Sequence, residues 1–208
     1  VNTAGTYTVT VTDAANNVGT AEITVYSVTF NGDDISGFTQ FVVSGDKAVK
    51  PADPSREGYS FDGWYNGSTA YAFGAAVTAD LTLTAEWTAI PATAPTVTVG
   101  QDVTQAYGTA DGAISVAAMA AGNTTYTLSY QWYRNPTNST SGGTAITTEA
   151  TRPSYTIPAD TAVGTYYYYC VVTATRNDNQ QTAATTSDAI TVTISKATQT
   201  APVSGEGY

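Results

Sequence analysis

Two stretches of the chain alternate large apolar side chains with polar ones, and they constrain the fold more than any other feature. In the first stretch, Tyr130 and Trp132 fall on one face of an extended strand. In the second, Tyr166, Tyr168 and Cys170 share one face in the same way. Many other stretches alternate threonine with valine, and β-branched and aromatic residues suit a pleated, half-buried surface. The sequence therefore predicts an all-β protein.

The spacing between Trp132 and the later Tyr168 and Cys170 matches the centre of an immunoglobulin sandwich. Residues 97–195 resemble bacterial immunoglobulin-like repeats. The resemblance implies an immunoglobulin-like β-sandwich in which Trp132 packs against Cys170 and Tyr168 closes a corner. Cys170 is the only cysteine, so no disulfide can form within the chain. Packing around Trp132 must therefore replace the stabilisation of about 2–4 kcal/mol that a disulfide typically gives.

Strands of this domain are predicted from the same alternation of apolar and polar residues. They are placed near residues 97–100, 103–107, 112–119, 125–134, 144–147, 154–157, 164–176 and 185–194. The residues expected to point inward, besides those above, are Ile114, Val116, Ala118, Leu128, Ile190, Val192 and Ile194.

Residues 27–88 follow a different pattern, with three sequence blocks in a fixed order. Pro51-x-x-Pro54 comes first, and Gly-Tyr-x-Phe-x-Gly-Trp-Tyr follows at 58–65. Val-Thr-x-Asp-x-Thr-Leu-x-Ala-x-Trp closes the unit at 77–87. This segment resembles the internalin B-repeat, also called the Listeria–Bacteroides repeat. The resemblance implies a small β-grasp-like α+β unit with a short helical or irregular crossing over residues 51–58.

The aromatic residues of this unit are predicted to fill its core. A domain of about 60 residues buries only about 60% of its unfolded surface, so it depends on every large side chain it has. Trp64 and Trp87 are therefore interpreted as core residues rather than as a platform for a ligand. Trp64 shares the face of Tyr59 and Phe61 only if Gly63 introduces a β-bulge.

The remaining segments are predicted as connections and broken repeats. Residues 1–26 are predicted as a hairpin, interpreted as the last two strands of a truncated immunoglobulin-like repeat. Because an isolated hairpin is marginal in water, it is expected to pair with the adjoining domain, a neighbouring molecule or residues outside this chain. Residues 89–96 are predicted as a proline-containing linker, and residues 196–208 as a linker or the start of another repeat.

Composition excludes several classes of function. The net charge of −10 argues against nucleic-acid partners, and no apolar run is long enough for membrane insertion. With no histidine and one cysteine, the chain lacks Ser-His-Asp and Cys-His pairs and Cys/His zinc sites. Two carboxylates would suffice for glycoside hydrolysis, but the domains are small and offer no obvious cleft-forming insertion. An enzyme with a cleft lined by paired carboxylates is the disfavoured alternative, and no enzyme activity, cofactor or metal is expected. The spacing of a calcium-binding loop is absent at Asp33-Asp34 and at residues 177–179. Lysine–asparagine isopeptide bonds are also disfavoured, because Lys47, Lys50 and Lys196 are expected in turns or at a domain edge.

One candidate binding surface follows from the alternation on two strands. If Trp132 and Tyr168 point inward, then Tyr133, Tyr167 and Tyr169 point outward on neighbouring strands. Such an exposed tyrosine face could bind a glycan or a host protein. The simpler interpretation is that tyrosine favours exposed strand positions without binding anything.

The expected function is that of a non-catalytic spacer in an adhesin-like bacterial protein. The resemblance to both repeat types implies an extracellular location, on the cell surface or secreted. Neighbouring repeats of the same chain are the expected partners, and the segment would project a distal functional domain. A glycan- or host-protein-binding module that uses the tyrosine face is the alternative.

Overall fold

The computed structural model describes residues 2–122, 125–148 and 150–197, and these residues form strands and no helix. The prediction of an all-β fold is confirmed. The chain divides into two compact units, residues 1–90 and residues 91–208. No part of the described chain forms a helix that is long and apolar enough to cross a membrane.

Residues 2–90 of the first unit form six strands in one sheet. They are β1 Gly5–Thr12, β2 Val18–Asn31, β3 Phe38–Val43, β4 Tyr59–Asn66, β5 Thr69–Ala70 and β6 Leu81–Ala89. The strand order is β1-β2-β6-β4-β5, with β3 also paired with β2. β2 and β6 run parallel and the other neighbours are antiparallel. The crossing over residues 51–58 is irregular, the second of the two forms expected there.

A β-bulge in β4 brings the aromatic residues of the first unit onto its core. The register between β4 and β6 shifts between Phe61 and Gly63, where the φ of Gly63 is 140°. Phe61 consequently pairs with Trp87, and Trp64 pairs with Ala85 two positions along β6. Trp64 is buried, and Phe61 and Trp87 pack against the same cluster. The bulge that the position of Gly63 suggested is therefore present.

The predicted N-terminal hairpin shares a strand with the repeat that follows it. β1 pairs along residues 18–25 of β2, and β2 then continues without interruption across the predicted boundary between residues 26 and 27. Residues 18–23 are exposed, whereas Val25 and Val28 are buried. The hairpin thus extends the sheet of the first unit. Of the three partners expected for it, the structure shows the adjoining domain.

The described residues of the second unit form nine strands in two sheets. They are β7 Thr96–Val99, β8 Val103–Ala106, β9 Ala113–Met119, β10 Tyr126–Asn135, β11 Thr144–Ala145, β12 Ser154–Thr156, β13 Gly164–Arg176, β14 Thr182–Thr186 and β15 Ile190–Ser195. One sheet has the order β11-β10-β13-β15-β8, with β14 also paired with β13, and the other has the order β12-β9-β7. β8 and β15 pair parallel, and the other pairs are antiparallel.

The last predicted strand, over residues 185–194, is two strands in the structure. β14 pairs with residues 171–175 of β13, and β15 pairs with residues 164–168 of the same strand. The strand is interrupted after Thr186. The next residue, Ser187, accepts a hydrogen bond with its hydroxyl from the Cys170 backbone N–H at 2.9 Å. The Ser187 hydroxyl thus takes the place of a backbone acceptor, while the Ser187 N–H still donates to the Cys170 carbonyl oxygen at 2.9 Å.

The core of the second unit contains the residues predicted to point inward. Those that are fully buried in the cluster include Ile114, Val116, Trp132, Tyr168, Cys170, Ile190, Val192 and Ile194. Ala118, Leu128 and Tyr130 pack against it at its edge. Of the C-terminal segment predicted as a linker or next repeat, residues 198–208 lie outside the described residues.

Candidate functional site

Trp132 occupies the centre of the second unit. It has 0% exposure and is the direct cross-strand partner of Cys170, which is equally buried. The indole Nε1–H donates a hydrogen bond to the carbonyl oxygen of Arg152 at 2.9 Å. Arg152 precedes β12 of the opposite sheet. Trp132 therefore connects the two sheets by packing and by a hydrogen bond.

Cys170 lies in a position that disfavours chemistry at sulfur. Burial raises the pKa of its thiol to about 11, so the thiol stays protonated at neutral pH. The thiolate is the reactive form of cysteine, and a buried neutral thiol behaves as a small hydrophobic group. Cys170 is therefore a core residue.

The predicted tyrosine face exists as a geometric arrangement, but it is not open. Tyr133 and Tyr169 are cross-strand partners with stacked rings, their centroids 5.0 Å apart. Tyr167 lies two residues along the same strand, opposite Asn135. Tyr133 and Tyr167 are half-buried, whereas Tyr169 has only 4% exposure. The prediction that Tyr169 is exposed is wrong.

The loop that follows β10 covers Tyr169. The Gly143 N–H donates a hydrogen bond to the Tyr169 hydroxyl at 3.2 Å. Asn135 closes this loop, because its amide donates to the carbonyl oxygens of Ser139 and Ser141 at 3.1 and 3.0 Å. A β-carbon at Gly143 would lie 2.9 Å from the Tyr169 ring. The chain's own loop thus takes the place that a ligand would need.

A cleft opens on the other side of β13, where Tyr168 points. It has a volume of about 490 Å³ and lies between the end of β10, β11, residues 146–148, Tyr155 and residues 158–161. Tyr155 is half-buried at the cleft and lies against the buried ring of Tyr168, with ring centroids 6.1 Å apart. Threonines at 147 and 148 supply exposed hydroxyl groups. The cleft therefore combines aromatic carbon with hydrogen-bonding groups.

Two charged side chains line this cleft. The Arg134 guanidinium lies 5.2 Å from the ring centroid of Tyr166, in a cation–π arrangement. Burial raises the pKa of Tyr168, and the nearby positive charge of Arg134 opposes this shift. Asp160 supplies an exposed carboxylate, and no salt bridge joins it to Arg134. One cation and one anion thus face the cleft separately.

The tryptophans of the first unit are placed as core residues. Trp64 has 3% exposure and meets Phe30 edge to face at a centroid distance of 4.9 Å. Trp87 meets Phe61 at 5.3 Å. The indole Nε1 atoms of both tryptophans are buried and have no hydrogen-bond partner among the described residues. Both indoles therefore contribute through apolar packing.

The acidic pairs considered as cation ligands are engaged with arginines. Asp33 and Asp34 both approach Arg56, at 3.4 and 3.1 Å. Asp178 forms two hydrogen bonds with Arg176, at 3.0 and 2.7 Å, which lower the pKa of its carboxyl. Within the described ranges, no group of three histidine, cysteine, aspartate or glutamate side chains is arranged to hold a metal ion. Lys50, one of the lysines considered for isopeptide bonds, pairs with Asp53 at 2.7 Å on the surface.

The cleft was not expected from the sequence, because its residues come from distant positions. Arg134 lies next to the last residue of one strand, Tyr155 lies in a strand of the opposite sheet, and Asp160 follows in a turn. No local spacing connects them, so the alternation along single strands gives no signal that they meet. One indication of the cleft is present in the sequence. The order Tyr-x-Trp-x-Arg in β10 places Arg134 on the same face as Trp132, which is the inward face.

Comparison with known proteins characterises the first unit. No curated protein matches the chain. The family model of the Listeria-Bacteroides repeat domain matches residues 26–86, which span the strands from the end of β2 to β6. This repeat family is found in bacterial surface proteins. The match supports the identification of this segment as a Listeria-Bacteroides repeat unit.

Proposed function

We propose that this chain is a non-catalytic structural spacer of an adhesin-like bacterial protein, which projects a distal functional domain outside the cell. The observation that carries the proposal is that two successive compact β units each have their own aromatic core. Trp64 and Trp87 belong to one core and Trp132 to the other. Modules that fold on separate cores can be strung along a chain as independent elements.

The repeat family supports the extracellular location, since its members occur in bacterial surface proteins. A surface rich in threonine and poor in charge agrees with the expected setting of such a spacer. Two groups that could serve in catalysis are not available for it: Cys170 is a buried neutral thiol, and Asp178 is paired with Arg176. These observations favour a structural role over catalysis.

We infer that the second unit is an immunoglobulin-like domain. The two-sheet arrangement supports this, with β10 and β13 as the central pair that carries Trp132 and Cys170. The parallel pairing of β8 with the last strand, β15, adds further support. It places an early strand of the unit beside its final strand, at one edge of the larger sheet. In this interpretation, tryptophan packing compensates for the missing disulfide.

Single-molecule pulling of the full chain between marker domains tests the spacer proposal. Two separate unfolding events are expected, one per unit. At about 3.5 Å per residue, residues 5–89 and 96–195 would add contour lengths of about 300 and 350 Å, less the folded end-to-end distance. Introducing Trp132→Ala should lower the force of the longer event and leave the shorter one unchanged. A single unfolding event would contradict the proposal that the two units unfold independently under force. Loss of both events in the Trp132→Ala variant would contradict it as well.

The tyrosine face remains the second candidate, as a binding surface for a glycan or host protein. Tyr133 and Tyr167 retain partial solvent access on neighbouring strands. The burial of Tyr169 leaves two aromatic rings instead of three for a ligand. A glycan array with the chain and with a Tyr133→Ala/Tyr167→Ala variant separates the candidates, because specific signals that disappear in the variant would favour the binding module.

A further inference from the structure

The cleft beside Tyr168 has the size and chemistry of a small-ligand site. Its volume of about 490 Å³ lies within the range of roughly 300–1,000 Å³ that is typical of such sites. It lies on the inward side of β13, whereas Tyr133 and Tyr169 lie on the other side. The cleft is therefore distinct from the tyrosine face, and the two can be tested separately.

The lining of the cleft favours a sugar over a purely apolar ligand. A sugar ring has apolar C–H faces that pack on aromatic rings, and the half-buried Tyr155 supplies such a ring. Its hydroxyl groups need donors and acceptors, which the side chains of Thr147, Thr148 and Asp160 supply. An entirely apolar ligand would leave these polar groups without partners as it excluded water.

Arg134 adds a preference for a carboxylate. A guanidinium presents a planar fork of donors that matches a carboxylate bidentately. Arg56 and Arg176 are already paired with aspartates, but Arg134 forms no salt bridge with any carboxylate in residues 2–122, 125–148 or 150–197. The cation–π contact with Tyr166 restrains the guanidinium beside the cleft. In a chain of net charge −10, this cation, which has no carboxylate partner among the described residues, faces a cleft lined by hydrogen-bonding groups.

The geometry points to a binding site for a sugar that carries a carboxylate, such as a uronic acid. Arg134 binds the carboxylate, the ring packs against the half-buried Tyr155, and Asp160 accepts hydrogen bonds from hydroxyls at the opposite end. The absence of a salt bridge between Arg134 and Asp160 leaves both free to contact one ligand at different positions. Such a site would add ligand recognition to a spacer, and it does not depend on the spacer function.

Glucuronic acid and glucose form a matched probe pair, because they differ only in the carboxylate at C6. Titration of the full chain, followed by amide NMR shifts, should show saturable changes at residues 144–148 and 158–161 with glucuronic acid. Glucose should bind at least about tenfold more weakly, as expected for loss of one charge-assisted bidentate contact. Acetate, which has the carboxylate without the ring, should also bind at least about tenfold more weakly.

Arg134→Ala should reduce the affinity for glucuronic acid by about tenfold or more, and Arg134→Lys should restore only part of it, because lysine lacks the planar fork. Arg152→Ala is the matched control, since Arg152 is an exposed arginine of the same unit that does not line the cleft. Thermal melts confirm that each variant is folded. No saturable shift at the cleft overturns the proposal, and so does equal loss in the Arg152 variant. Equal binding of glucose overturns the role of the carboxylate, and equal binding of acetate overturns the role of the sugar.

Discussion

Trp132 and Cys170 face each other as cross-strand partners of β10 and β13, and neither is exposed to solvent. In a domain without a disulfide, this pair lies where the two sheets must be held together. The indole spans the gap by packing and by its hydrogen bond to Arg152 of the segment that leads into β12. The stability of the second unit should therefore depend on Trp132 more than on any other single side chain.

Replacing Trp132 with alanine should destabilise the second unit by at least about 3 kcal/mol, because the change leaves a large cavity. It also leaves the Arg152 carbonyl oxygen without its donor. Urea unfolding followed by circular dichroism measures the loss, and NMR signals of residues 1–90 should be unchanged. Trp132→Phe is the control, since it retains much of the volume and should cost less. A small shift in the alanine variant would show that the core does not depend on this indole.

Cys170 should make the stability of the second unit fall at alkaline pH. Its thiol has a pKa of about 11 in the folded state, above the ordinary value of 9.0. Above the ordinary value the unfolded chain loses the proton while the folded chain keeps it. The free energy of unfolding should then drop between about pH 9 and pH 11, by at most about 1.4 kcal/mol per pH unit.

Unfolding curves at pH 8, 9 and 10 measure this dependence. Cys170→Ala should be less stable at pH 8, because it leaves a small cavity, but should lose less stability on going to pH 10. The native thiol should also react slowly with a thiol reagent at pH 8. Rapid labelling without unfolding would contradict a buried thiol.

Much of the second unit could be predicted from the sequence because period-two alternation specifies which side chains share a face. Trp132, Tyr168 and Val192 were placed inward on this basis, and the structure buries all three. The burial of Tyr169 could not be predicted, since alternation says which face a residue is on but not whether a loop covers that face. The covering loop closes through Asn135 and Gly143, which carry no periodic signal.

The first unit shows one success of sequence prediction and one limit. The need for a bulge at Gly63 could be recognised, because Trp64 and Phe61 otherwise fall on opposite faces. The continuity of β2 across residues 26 and 27 could not be predicted, since both halves of that strand alternate equally well on their own.

The cleft of the second unit could not be predicted either. Arg134 and Asp160 line the same cleft only because segments distant in the sequence converge there.

Gly143→Ala should destabilise the second unit by about 1–3 kcal/mol, the usual cost of overpacking. The new β-carbon would lie 2.9 Å from the Tyr169 ring and 3.1 Å from the Arg134 carbonyl oxygen. Because Tyr169 is stacked on Tyr133, the ring cannot move away without breaking that contact. Chemical unfolding measures the change, and near-ultraviolet circular dichroism should report the altered tyrosine packing. Tyr169→Phe, which keeps the ring and removes one hydrogen bond, should cost only about 1 kcal/mol. A neutral Gly143→Ala would show that the loop can move off Tyr169 freely.

Gly63→Ala should destabilise the first unit by about 1–3 kcal/mol, because alanine at a φ of 140° is strained. Space is not the obstacle, since the nearest atom to a new β-carbon is Tyr65 Cε2 at 3.7 Å. The strain would favour a straight β4, which would turn Trp64 away from the face of Phe61 and disrupt the edge-to-face contact of their rings at 5.7 Å. Gly74→Ala is the matched control: it adds the same methyl group to the same unit, at a position with open space and no positive φ. Unfolding followed by tryptophan fluorescence should show a loss of stability for Gly63→Ala only. Equal stability of the two variants would mean that the bulge can form without glycine, and that the packing of Trp64 against Phe61 is enough to impose it.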